Sequence, residues 1–275
     1  MRLKPRASSA ARCGLALIGL ALLLAGATAR GAGLEPPPEG QDAREIALSA
    51  EDALRSERTT FEAKMIVESS RVSRPRELRF RSLDDRPGGR SFIRILAPAK
   101  DEGTGFLKFQ PNLWMYVPRE ERIERIPPSM MLQPWMDSDF TNDDLVNLSS
   151  EVDDYDHKLL GVDPKPDGIV DLRAYVVEYV PREDTPIVWD KIIAWIEIEH
   201  GTPLRQEFYD ANGELLRVRR FGGIREVQGR RFPHVWTVRP VGKKGHETRI
   251  EVEQIRFDAE FDDSVFTTRH LKAKD

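Results

Sequence analysis

Apolar and polar residues alternate with period two along most of the chain. That alternation predicts antiparallel strands with one wet face. Residues 60–67 set Phe61, Ala63, Met65 and Val67 against Thr60, Glu62, Lys64 and Ile66. Residues 76–81 and 92–96 read the same way, with a turn cluster at 84–89 and a stop at Pro98. Residues 104–109 and 113–117 are also strands, but the second is apolar on both faces, so something must cover both. Residues 121–126 are a further, less regular strand, because Ile123 and Ile126 stand three apart. After Pro164 and Pro166 the alternation resumes through Leu172, Ala174 and Val176, then 190–198. A hairpin follows over 204–209 and 215–221, then strands over 235–238 and 248–257. In the last, Ile250 and Val252 fall out of phase with Ile255 and Phe257, which predicts a β-bulge near Gln254.

Three stretches break the pattern. Residues 42–56 carry Ala43, Ile46, Ala47, Ala50 and Leu54 at helical spacing, behind Asp42 as a cap. Residues 262–270 read as a short helical end. Residues 129–140 follow neither period, and so long an irregular loop in a compact domain is usually functional or mobile. Thr141 or Asn142 then caps a short helix, with Asp143 and Asp144 in its first turn. The sum is roughly ten strands, one N-terminal helix and an irregular insert. An antiparallel sheet of that size curls, and one that curls without filling itself makes an apolar cup.

The first residues stand apart. Arg2, Lys4, Arg6 and Arg12 precede an apolar run over 14–24 and an Ala27-Thr28-Ala29 cleavage site, which together read as a secretory leader. The alternative, a retained anchor, is opposed by the shortness of the apolar run. The expected organisation is a leader over 1–29, an exposed linker with Pro36, Pro37 and Pro38 over 30–41, and a single domain over 42–275. Cys13 is the one cysteine, so the exported chain has no thiol chemistry, no disulfide and no site for lipidation at its start. Loss of four basic residues moves the formal charge from −4 to −8. A net acidic protein is a poor general binder of nucleic acid or anionic membranes.

The candidate chemistry is apolar. Trp114, Tyr116, Met130, Met131, Trp135, Met136 and Phe140 crowd the middle of the chain. They are expected either to line a cavity or its lid, where soft side chains adapt to varied guests, or to form ordinary core. Asp137, Asp139, Asp143 and Asp144 lack the glycine and glutamate of a calcium loop and are read as capping and turn residues. The five histidines are scattered and form no zinc pair. No nucleophile–base constellation and no cofactor fingerprint is present, so no cofactor, no metal and no enzymatic activity is expected. Two basic runs, one over Arg71, Arg74, Arg76, Arg79 and Arg81 and one over Arg217, Arg219, Arg220 and Arg225, are read as solvated strand faces; the sharper alternative is docking to an acidic partner or lipid head groups.

The strings GTGFLKFQPNLWMYVPREERIERIPPSMM and DSDFTNDDL, with WDKIIAWIEIEHGTPLRQEFYDANGELL and the closing FDDSVFTTRHL, resemble the outer-membrane lipoprotein-sorting, LolA-like family. That resemblance implies a half-open antiparallel β-barrel with a helical lid over a hydrophobic cavity. It implies a periplasmic carrier of the acyl chains of a lipoprotein or lipid, serving an inner-membrane export pump or an outer-membrane acceptor. The lid-locking arginine motif of the lipoprotein chaperone has no match in this sequence. The alternatives are a non-carrying accessory or sensor subunit of an envelope complex and, against the missing nucleophile, an enzyme acting on a lipid.

Overall fold

The computed structural model describes residues 33–273, apart from 71–73, 110–111, 148–150, 170 and 184–188. The expected leader and Cys13 lie outside the described residues. The described chain from Leu34 onward is one compact unit.

Helix α1 (Ala43–Leu54) starts at Asp42, whose carboxylate accepts hydrogen bonds from the backbone N–H groups of Arg44 and Glu45. Its apolar stripe, Ile46, Ala47 and Ala50, is buried. The linker is less free than the triple proline suggests: Glu35 pairs with Val162 and its carboxylate meets Arg173.

Thirteen strands follow: β1 (Arg58–Glu68), β2 (Arg76–Asp85), β3 (Arg90–Ala97), β4 (Gly105–Phe109), β5 (Asn112–Val117), β6 (Arg122–Ile126), β7 (Tyr155–Asp163), β8 (Ala174–Pro181), β9 (Lys191–Glu197), β10 (Pro203–Tyr209), β11 (Leu215–Val227), β12 (Arg230–Pro240) and β13 (Glu247–Phe257). They form one antiparallel sheet in the order β6-β5-β4-β3-β2-β1-β13-β12-β11-β10-β9-β8-β7. The sheet is curled and open, with β6 and β7 at its two edges. Two hairpin ladders meet at a single long-range seam, β1 against β13. The predicted bulge lies in that seam: Glu62 faces Gln254, Ala63 faces Val252, and Glu253 is the extra residue.

The alternation predicts roughly ten strands, three fewer than the sheet contains. Strand β7 was not visible in that alternation, because the strand carries Gly161 and Lys158 and alternates poorly. Gly222 and Gly223 lie inside β11, and the reversal into β12 falls at Gln228-Gly229.

The inner face of the sheet carries the core, and the outer face is covered only in part, since Arg79, Arg81 and Glu251 on β2 and β13 meet solvent. The inner face of β1–β6 and β11–β13 packs Met65, Phe80, Ile95, Phe106, Trp236 and Ile250 into one core. The inner face of β8–β10 packs against α1 through Val177, Tyr179, Ile192 and Phe208. On the outer face, the C-terminal turn (Asp263–Phe266) and α3 (Thr268–Lys272) cover Phe92, Leu107, Trp114 and Tyr116. Buried Arg94 fastens α3 there by donating to the carbonyl oxygens of Gly103, His270 and Leu271.

Candidate functional site: a plugged apolar cavity

Between the edge strands β6 and β7 the chain crosses the concave face as an irregular lid. It comprises one tight turn at Pro128–Met130, a second at Trp135–Asp137, and helix α2 (Asn142–Asn147). The lid is braced from within. The backbone N–H of Trp135 donates to the Phe140 carbonyl at 2.7 Å, and Asn142 donates through Nδ2 to the Met130 carbonyl at 3.0 Å. Thr141 caps α2 reciprocally: the Asp144 N–H donates to Thr141 Oγ1 at 3.2 Å, while the Asp144 carboxylate accepts from the Thr141 N–H at 2.7 Å.

This fold drives Trp135 into the cup. Its side chain is 1% exposed and meets Phe80 and Phe106 edge-on, with ring centroids 5.5 and 5.6 Å away. Phe140 is buried beside it, and Met131 and Met136 are partly buried against the same core. Two features oppose this closed state. The Trp135 indole N–H is buried without a hydrogen-bond partner, a loss of about 1–3 kcal/mol. Met136 and Asp137 both take left-handed backbone conformations, at φ 49° and 54°, which L residues adopt at a cost.

Three polar contacts hold the lid down. Arg76 of β2 donates to the Met136 carbonyl at 2.5 Å and to the Asp137 and Asp101 carboxylates at 3.2 Å. Thr248 of β13 accepts from the Asp139 N–H and donates to the Asp139 carboxylate, each at 2.9 Å. Arg217 of β11 grips the Asp144 carboxylate with two bonds of 2.6 Å, its guanidinium lying 4.2 Å from the Phe208 ring centroid. Next to it, Arg219 donates to Glu151 at 2.7 Å and to Gln206 at 2.7 Å. Arg217 and Arg219 are therefore interior, a correction to the expected solvated face. Burial alone would raise the Asp144 pKa, but Arg217 and Arg219 hold it below the usual carboxylate range. At Asp143 burial, then the neighbouring Asp144 charge, outweigh the pull of Arg217 and push the pKa up to about 7.

What remains beneath the lid is a cavity of about 90 Å³. The sheet face that carries this cavity is graded by strand register, and Thr59, Asp84, Ser91, Phe61, Ser82, Ile93, Phe80, Ile250 and Trp236 of it line the cavity itself. The first row across the sheet is Thr59, Asp84, Ser91 and Lys108; the second is Phe61, Ser82, Ile93 and Phe106; the third is Ala63, Phe80 and Ile95; the fourth is Met65 and Leu78, with Ile250 and Trp236. One end is thus polar and the other apolar, with Trp135 over the middle rows. At the polar end Arg55, just past α1, pairs with Glu51 and with Asp84 at 3.3 Å. Lys108 is buried there, which lowers its pKa to about 8 against the pull of Asp84.

The expected site residues separate by face. Trp135 and Phe140 line the cavity, and Met131 and Met136 pack against its core. Met130 sits on the outside of the lid, 46% exposed. Trp114 and Tyr116 belong to the outer cluster under α3 and do not line this cavity. Their neighbours Leu113 and Met115 point inward, so the apolar character of both faces of β5 was real but ambiguous in direction. The threonine and serine positions carry no signal in the sequence, and the lid contacts of Arg76, Arg217 and Arg219 come from partners far away along the chain. Among the described residues, one group has metal-ligand spacing, Glu197, Glu199 and His200 at a hairpin turn, and there the Arg231 guanidinium already lies 3.6 Å from the Glu197 carboxylate. No described helix is long and apolar enough to cross a membrane.

A family model described as "Uncharacterized protein" matches residues 88–273. No curated protein matches the chain. Among solved structures, the chain is similar to a DUF1329 family protein from Desulfovibrio piger, at 23% identity and a TM-score of 0.75, over 83% of this chain and 97% of that one. It is similar to an outer membrane lipoprotein-sorting protein domain from Vibrio parahaemolyticus, at 24% identity and a TM-score of 0.72, over 84% and 98%. It is also similar to a LolA superfamily protein from Nitrosomonas europaea, at 20% identity and a TM-score of 0.70, over 84% and 99%. At these identities the likeness is one of fold.

Proposed function

The chain belongs to the family whose model spans residues 88–273 and has the LolA-like fold, and from that premise we propose that it carries acyl chains of a lipid or lipoprotein across the periplasm. The observation that supports this most directly is Trp135. A large apolar side chain, delivered by a strained lid, occupies the middle of an apolar cup without a partner for its N–H. It stands where a hydrocarbon guest would lie. Uptake then exchanges one apolar occupant for another, with each buried methylene contributing about 0.8 kcal/mol. Transfer needs no covalent step. The lid moves, and the chain passes to a partner, an export pump or an outer-membrane acceptor, with equal or higher affinity. The leader and the net acidic exported chain fit a dissolved periplasmic carrier.

The small volume of the closed cavity favours a second reading, an accessory or sensor subunit whose cup is filled by its own lid. Mass spectrometry of lipids that co-purify with the protein from its native envelope separates the two. Stoichiometric lipid supports carriage, and a lipid-free protein that also refuses acyl probes leaves the accessory role.

A further inference from the structure

The cavity has a direction. Successive rows on one strand face are about 6.6 Å apart, so the first and fourth rows are separated by about 20 Å. The far end, at Trp236 and Ile250, is apolar. The near end presents the hydroxyls of Ser82 and Ser91 together with Thr59, Asp84 and Arg55. Thr59 and Ser91 are buried, with the Thr59 hydroxyl engaged by Ser56, and the paired Arg55 and Glu51 side chains are each 9% exposed. Charge at this end is paired, with Arg55 and the buried Lys108 both acting on Asp84. Arg55 is shared between Glu51 and Asp84, and Glu51 is also held by Arg86 at 3.0 Å. An anionic head would compete with these carboxylates in a buried setting, where unmatched charge is costly. A hydroxyl head needs only the hydrogen bonds that two serines offer. A head carrying a whole protein would have to pass through the closed end.

We propose that the guest is a free single-chain amphiphile with an uncharged, hydroxyl-bearing head. The head lies against Ser82 and Ser91, and the tail runs beneath the displaced Trp135 to Trp236. This rests on the carriage reading and names its substrate class. A monoacylglycerol meets the description. A fatty acid, a lysophospholipid and a lipoprotein do not.

The test is displacement of a pyrene-labelled alkyl probe by ligands of equal chain length: monolauroylglycerol, laurate, a lauroyl lysophospholipid and a lauroylated peptide. Monolauroylglycerol is expected to displace the probe at a concentration at least tenfold below each of the others. In Ser82→Ala/Ser91→Ala, checked for its β-sheet circular dichroism, that gap is expected to shrink to within twofold. Equal or better displacement by laurate, the lysolipid or the peptide overturns the head assignment while leaving carriage intact. A tenfold gap that survives in the folded double variant also overturns it. Failure of the probe to bind at all removes both readings together. The preference of the wild-type protein decides the matter even where the double variant does not fold.

Discussion

Arg217 on β11 and Asp144 on the lid helix meet through two parallel hydrogen bonds of 2.6 Å, with both side chains buried. The pair joins the lid to the sheet, and its energetics are asymmetric. Removing one partner strands a buried charge, so Arg217→Ala should cost about 3–5 kcal/mol in denaturant unfolding. The double change Arg217→Met/Asp144→Leu should recover most of that loss. A single variant as stable as wild type would show that the pair carries little. Because the Asp144 pKa is depressed, its contribution is present above the usual carboxylate value and is lost on acidification through the folded value.

Asp143, one residue earlier, has the opposite sign. Its folded pKa, about 7, lies above the unfolded value, so the native state holds the extra proton between roughly pH 4 and 7. Its favourable contribution is complete below about pH 4 and is gone once the pH passes 7. Asp143→Asn should therefore be more stable than wild type at pH 8, with the difference shrinking towards pH 5. Thermal melts across that range test this; parallel curves for the two proteins would refute it.

Trp135 competes with the guest for the same space. Trp135→Ala should lower folding stability by about 3–5 kcal/mol or less, depending on how far the cup relaxes. It should also tighten binding of a long alkyl probe by at least several-fold, because the occupant that must leave has gone. Trp135→Asp should abolish uptake in a folded protein by placing a carboxylate among Phe80 and Phe106. Normal uptake by the aspartate variant would remove Trp135 from the site.

At the rim, the Arg76 side chain is 24% exposed and its lid partner Asp137 94%, so that ion pair is screened by solvent and Arg76→Ala should cost no more than about 1 kcal/mol globally. Locally it should matter more. Hydrogen exchange at residues 135–140 is expected to rise several-fold while β1 and β13 stay protected. Uniform exchange across the chain would count against a separately opening lid.

Trp114 and Tyr116 provide the control. They hold the C-terminal segment on the outer face, so Trp114→Ala should loosen α3 without changing probe affinity. A loss of probe binding with α3 still docked would return Trp114 to the cavity.

The sequence carried the fold class well because alternation, turns and the bulge at Glu253 are local signals. It carried the site unevenly. Trp135 and Phe140 were legible as large apolar residues in an aperiodic stretch, which core residues seldom occupy. Trp114 was not, because a strand apolar on both faces does not say which face meets the cup. Arg217 and Arg219 were misread as solvated, since period two shows only that they share a face with Phe221; that this face is interior follows from acids on the lid about seventy residues earlier. The polar row Thr59, Asp84 and Ser91 exists only once three strands are in register.

The chain order gives the molecule one more property. β6 and β7 are the outermost strands, and they are consecutive, so the segment between them is tied at both ends to opposite margins of the same curved plate. It works like the string of a bow. Spreading the margins would pull the string taut and draw it out of the hollow, and drawing them together would slacken it. A partner that pressed on either margin would thus hold a mechanical lever on what the hollow contains, without touching the contents.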